Sequence, residues 1–230
     1  MTVQILPILG LPEIEPGDDL AALLIDAIRP LDPGAGDLVV VTQKVVSKAE
    51  NAMESTTSDA DYRKIVERES ASILRRRGEL VISITRHGFV CANAGVDRSN
   101  VVEGQVALLP SDPDRSAQRL RIRFQRAFDL DLPVIITDTF GRAWRNGLVD
   151  VAIGVAGMEP ILDLRGTLDG QGRLLEVTEV AVADEVAAAA ELVMGKANGV
   201  PAVLVRGVQY RPGEGRASDM VRAPDQDMFR

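Results

Sequence analysis

The sequence predicts a mixed α/β chain of the α+β type, and three observations carry that expectation. Short runs rich in Val, Ile and Leu, such as "DLVVV", "LPVII" and "VPAVLV", have the length and β-branched content of buried strands. Longer charged stretches between them place apolar residues at helical spacing. The composition is 46% hydrophobic but only 3% aromatic, so the core is built from Val, Leu, Ile and Ala. With 230 residues and neither a long linker nor an internal repeat, residues 1–230 are expected to form a single domain.

In chain order, "VQILPILGLPEI" opens as a short apolar run broken by Pro7, Gly10 and Pro12. A helix starts near Asp18, with Leu20, Leu23, Leu24, Ala27 and Ile28 on one face. "PLDPGAGD" is a loop, and "DLVVVTQKVVSK" begins as a buried strand that turns polar. Residues 59–77 read as a charged surface helix whose last turn holds Arg75, Arg76 and Arg77, where cations complement the helix dipole. "LVISITRHG" is a strand leading into the loop "FVCANAGVDRSN". A second charged helix spans 113–129, and the strand "LPVIITDTF" follows. "GLVDVAIGVAGMEP" is Gly-rich and apolar, 179–194 is an Ala-rich helix, and "VPAVLVRGV" is the final strand. Residues 212–230 are expected to be an irregular tail.

Charge and cysteine content exclude several function classes. A net charge of −8 disfavours sequence-independent binding to nucleic acid, so an anionic substrate would need a locally positive pocket or bound cations. The single Cys91 permits no intrachain disulfide, which fits a reducing, cytoplasmic setting. Cys91 reads as a small buried apolar residue rather than a nucleophile. No stretch approaches the roughly 18 apolar residues of a membrane span. Neither Gly-x-Gly-x-x-Gly nor Gly-x-x-x-x-Gly-Lys-Ser/Thr is present, so neither the Rossmann nor the P-loop solution to phosphate binding is expected.

Four segments deliver polar groups at the end of an apolar run, where α/β architectures build sites. Thr42, Gln43, Lys44, Ser47 and Lys48 offer phosphate-binding donors, or simply a solvated strand exit. "NAGVDRSN" turns tightly and lets Asp97 and Asn100 present oxygens to a hard cation, or caps its own backbone. "ITDTFGRAWRNG" sets Asp138 beside Thr139 and adds Arg142, Arg145 and Asn146 around the lone Trp144, which could equally be a core anchor. Glu159 in "GMEP" suits either a metal ligand or a turn, and Lys196 and Asn198 lie between Gly195 and Gly199. The lone His87 belongs to no metal-ligand spacing.

These segments are similar to the coenzyme F420-0:γ-glutamyl ligase family: "GLPEI", "DLVVVTQKVVSKAE", "NAGVDRSN", "ITDTFGRAWRNGLVDVAIGVAGMEPI" and "PAVLVRG". The resemblance covers residues 5–207. It implies the fold of that ligase family, in an intertwined homodimer, with GTP as co-substrate, Mg²⁺ or Mn²⁺, and stimulation by K⁺. The reaction it implies joins L-glutamate to coenzyme F420-0. By match to the family pattern, Leu11, Pro12, Glu13 and Ile14 contact the nucleotide, while Thr42, Gln43 and Lys48 hold its phosphates. Asp97 and Asp138 bind one metal, Thr139 helps with a second, Asn100 faces GTP, and the loop with Gly195, Lys196 and Gly199 closes over the nucleotide. Asp138 and Arg142 are the expected catalytic residues. One departure is that Lys196 stands where some members carry Gln, so either its charge replaces a cation or the second metal is held differently. The alternatives are a nucleotide-dependent ligase with another acid acceptor, and a non-catalytic nucleotide- or deazaflavin-binding subunit.

Overall fold

The computed structural model describes residues 2–228. Its centre is a five-stranded sheet made of β1 (Gln4–Pro7), β2 (Leu38–Thr42), β8 (Val134–Arg142), β9 (Arg145–Ala156) and β12 (Ala202–Arg206), in the order β1-β12-β2-β8-β9. Every pairing is antiparallel except that of β2 with β8, which run side by side with Thr42 opposite Thr137. β2 is covered on both faces: Leu38, Val39, Val40 and Val41 are all fully buried, which explains an unbroken apolar run in place of an alternating one.

Strand alternation sends neighbouring residues to opposite layers. Val39, Val41, Val134, Ile136 and Leu204 face a core completed by α1 (Leu20–Ile28), α2 (Gln43–Ala49) and α4 (Pro113–Phe128). Leu38, Val40, Ile135, Val203 and Val205 face α5 (Val182–Met194), which contributes Val186, Ala187, Ala190 and Met194. Three helix starts follow from capping chemistry: Asp19, Ser58 and Asp112 each accept a backbone N–H in the first turn.

The connection from β2 to β8 is long and holds a second region. There, β4 (Ser70–Arg77), β5 (Leu80–Thr85) and β6 (Val90–Ala92) form an antiparallel sheet. The helix α3 (Asp59–Glu69) packs Ile65 and Val66 on Val81, Ala94, Val96 and Val106, the last from a ribbon of β3 (Met53–Ser55) and β7 (Gln105–Ala107). A smaller ribbon, β10 (Leu162–Asp163) with β11 (Glu179–Val180), precedes α5.

Four sequence expectations change. The helix read over 59–77 ends at Glu69, and 70–77 form β4, so the three arginines lie on a strand paired with β5 and not in a helical last turn. The polar continuation after β2 is a helix, α2. Trp144 anchors no core; it sits at the tip of the β8–β9 hairpin with 79% of its surface exposed. Glu159 lies beyond the end of β9 remote from Asp138: its backbone N–H donates to Arg211, and its side chain packs on Gly213 and Gly215. That role is structural and holds the tail, which Asp114 also fastens by accepting from Ala217 N at 2.9 Å. Residues 212–228 accordingly lack strands apart from one isolated bridge at Pro212, yet Ala217 is buried. Phe229 and Arg230 lie outside the described residues.

Candidate functional site

The carboxyl ends of the parallel pair β2 and β8 meet at one end of the main sheet. Open α/β sheets place ligands at such ends. The alternation of β8 splits its polar residues between layers: Asp138 follows Ile136 toward the α1/α4 face, while Thr137 and Thr139 follow Ile135 toward the α5 face.

On the first face Asp97 meets Lys44 of α2, with Nζ 2.8 Å from Oδ2. Asp97 is held in place by a two-way backbone bridge to Ala107 (2.9 and 2.8 Å). Its carboxylate also accepts from the Ser99 backbone N–H at 2.7 Å and from the Ser99 hydroxyl at 2.9 Å. Burial opposes its charge, but Lys44 and Ser99 outweigh burial and leave the Asp97 pKa below its ordinary value. Asp138 is the converse case. Burial pushes it up to about 7, the charges of Asp97 and Asp150 push in the same direction, and the Thr139 backbone N–H and Lys44 only partly compensate. A buried carboxyl whose charge is opposed by burial and by a neighbouring carboxylate at a strand end is suited to a cation.

On the second face Asp150 of β9, opposite Thr139 in the pairing, is only 2% exposed. It accepts from the Thr137 hydroxyl at 3.1 Å and the Thr139 hydroxyl at 2.5 Å. The Lys196 ammonium bonds the Thr139 hydroxyl and lies 3.3 Å from Asp150 Oδ1 and 3.0 Å from Glu191 Oε1. Gly195 gives the loop its path. At φ +59°, ψ 173° it occupies a region open essentially to glycine, and a Cβ there would run into the Asn198 amide. Asn100, itself at φ +52°, donates to the Lys196 carbonyl at 3.4 Å and so ties the Asp97 loop to the Gly195–Gly199 loop.

The remaining expected residues distribute as follows. Gln43 is buried; its Oε1 accepts from Ser47 Oγ at 2.7 Å and its Nε2 has no protein partner. Thr42 lies just before α2 as its N-cap residue. Lys48 is paired with Glu13. Leu11 and Ile14 pack into the core, whereas Pro12 and Glu13 are exposed. Arg142 is not brought to the carboxylates: it lies four residues beyond Asp138, about 13 Å along an extended strand, and donates to the Asn146 carbonyl at 2.5 Å near the hairpin tip. Gly199 adopts φ +65° in the loop. Cys91 is buried and its thiol is pushed up to about 12, chiefly by burial, so it is no nucleophile at neutral pH. His87 Nε2 contacts the Ser111 carbonyl at 3.2 Å, and its ring stacks on Phe89.

Sequence reasoning missed Asp150 and Glu191. The available signal for Asp150 was a lone acid within "GLVDVAIGVA", where strand alternation makes its position inward-facing. Glu191 left no comparable signal, because an acid in an Ala-rich helix reads as a solvated face.

Among the described residues, no three or more His, Cys, Asp and Glu side chains converge as a metal site made of such groups alone. The donor set at the strand ends is two carboxylates, Asp97 and Asp138, with hydroxyls beside them. That set fits Mg²⁺ or Mn²⁺, which take one or two carboxylates and complete their shell with water and substrate phosphates. No helix among the described residues is long and apolar enough to cross a membrane.

The sequence pattern of the family described as F420-0:Gamma-glutamyl ligase matches residues 9–207. The chain is 42% identical to the coenzyme F420:L-glutamate ligase of Methanothermobacter thermautotrophicus, over 100% of both chains. It is 41% identical to the coenzyme F420:L-glutamate ligase of Methanopyrus kandleri, over 100% of this chain and 98% of that one. The protein of the same name from Archaeoglobus fulgidus is 41% identical, over 100% of this chain and 97% of its own length. Full-length similarity at this level, with Asp97, Asn100, Asp138 and Thr139 gathered at one sheet end, assigns the chain to the F420-0:γ-glutamyl ligase family.

Proposed function

We propose that this protein joins L-glutamate to coenzyme F420-0 in a reaction driven by GTP and assisted by Mg²⁺ or Mn²⁺, within a homodimer. The observation that carries the reading is the Asp97–Asp138 carboxylate pair at the end of β2 and β8, each charge opposed by burial and flanked by Lys44. It is supported by the full-length likeness to relatives bearing that activity in their names.

Asp97 and Asp138 would hold the divalent ion. Bound there, the ion would offset the negative charge of the nucleotide phosphates as the γ-phosphoryl group moves. The F420-0 carboxylate oxygen forms a bond to the γ-phosphorus while the β–γ bridging bond breaks, giving an acyl phosphate and GDP. The glutamate amine then attacks the acyl carbon, phosphate leaves, and the amine gives up a proton. Lys44 and Lys196 supply fixed positive charge on either face of the sheet end. The unpartnered Gln43 Nε2 is a donor available to a substrate oxygen. The site offers no activated nucleophile, in keeping with chemistry by positioning and charge neutralisation.

The test is turnover followed by mass spectrometry, with F420-0, L-glutamate, GTP and Mn²⁺, against controls lacking metal or GTP. A gain of one or more glutamyl units that requires both metal and GTP supports the reading. GTP binding without any gain assigns another acid acceptor, and loss of both ends the ligase assignment.

A further inference from the structure

We infer that Lys196 is a resident cation of this site, its ammonium filling an oxygen pocket of Thr139, Asp150 and Glu191 that would otherwise take a second divalent ion. The inference rests on the metal reading above and concerns how many ions the chain accepts.

The pocket is assembled from three separate elements. Thr139 comes from β8, Asp150 from β9 and Glu191 from α5, and the Lys196 ammonium contacts an oxygen from each. Two carboxylates and a hydroxyl around one point are the ligand types that hard divalent ions select. Asp150 is 2% exposed, and its two threonine partners supply hydrogen bonds but no charge. A buried carboxylate without a counter-charge destabilises the fold. Among the described residues Lys196 is the cation that makes an ion pair with it.

The backbone carries Lys196 to that position. The conformation at Gly195 turns the chain out of α5, and Asn100 grips the Lys196 carbonyl from the opposite loop. Burial works against the ammonium, yet Glu191 and Asp150 outweigh it and keep the lysine charged above its ordinary range. A tethered ammonium at this point excludes a free ion both by volume and by charge. A side chain of the same length without the charge would leave Asp150 and Glu191 to attract one.

The test counts bound Mn²⁺ by electron paramagnetic resonance of the free aqua ion, with Mn²⁺ alone as the probe. Wild type is expected to bind one Mn²⁺ per chain, Lys196→Gln two, and Lys196→Arg one. Two ions in wild type, or one in Lys196→Gln, overturn the inference. No Mn²⁺ bound by wild type overturns the metal reading itself, a distinct result. If Lys196→Gln is unfolded without metal, Mn²⁺ in excess should restore its far-ultraviolet circular dichroism; failure to do so also overturns the inference.

Discussion

Replacing Asp138 by Asn should stabilise the metal-free protein while abolishing turnover. Folding raises the Asp138 carboxyl from an ordinary 3.8 to about 7, first through burial and then through Asp97 and Asp150. The sign follows from linkage. A carboxylate whose pKa rises on folding makes the folded state bind a proton that the unfolded state releases between about pH 4 and pH 7. Stability is therefore lost as pH rises through that window, and the full cost is present above pH 7. At about 1.4 kcal/mol per pH unit the ceiling is about 4 kcal/mol. For a chain of this size each kcal/mol moves Tm by about 2–4 °C, so the ceiling corresponds to roughly 10 °C. Asn keeps the shape and removes the charge. The assay is thermal unfolding by circular dichroism in chelator-containing buffer, from pH 4 to pH 8. The expected result is a Tm advantage for Asp138→Asn that is near zero at pH 4 and largest at pH 8. Added Mn²⁺ should shrink it by stabilising wild type alone. An advantage independent of pH, or a less stable variant at pH 8, would refute the account of why these carboxylates face each other.

Three further expectations are simpler. Leu204→Ala empties a fully buried position in the middle of β12 and should cost about 2–5 kcal/mol in denaturant unfolding. Gly195→Ala forces a Cβ into the Asn198 amide at a strained backbone angle; kcat/KM should fall at least tenfold while Tm moves only a few degrees, because the loop and not the core absorbs the change. Cys91 should resist iodoacetamide at pH 8 in the native protein and react on unfolding, since burial both shields the thiol and pushes it up to about 12.

Much of the fold was legible because its signals are local. Asp112 followed by Pro113 announces α4, and the β-branched runs of β2, β8 and β12 announce the buried sheet. β4 was not legible for a physical reason: its residues, with Arg75, Arg76 and Arg77 together, have no strand period of their own, and only pairing to β5 makes them extended. α2 was missed because seven residues give too few turns for a periodic signal. In the site, Asp97, Asp138 and Thr139 were legible as polar groups ending apolar runs. Asp150 was hidden in a strand whose neighbours are apolar, and Arg142 lies apart from Asp138 because proximity in sequence is distance along an extended strand.

The one parallel pairing among the described residues, β2 with β8, has a kinetic consequence. Parallel neighbours need a crossover, and here everything from Gln43 to Pro133 lies within it, including the whole α3 and β4–β6 region. Asp97 is carried by that crossover, whereas Asp138 is carried by the strand that terminates it. Their encounter thus comes only after the longest loop in the sheet has closed, which is the slow kind of contact. Binding competence should appear after the main sheet acquires exchange protection, and a nick in the crossover should silence the site while leaving most of the sheet protected.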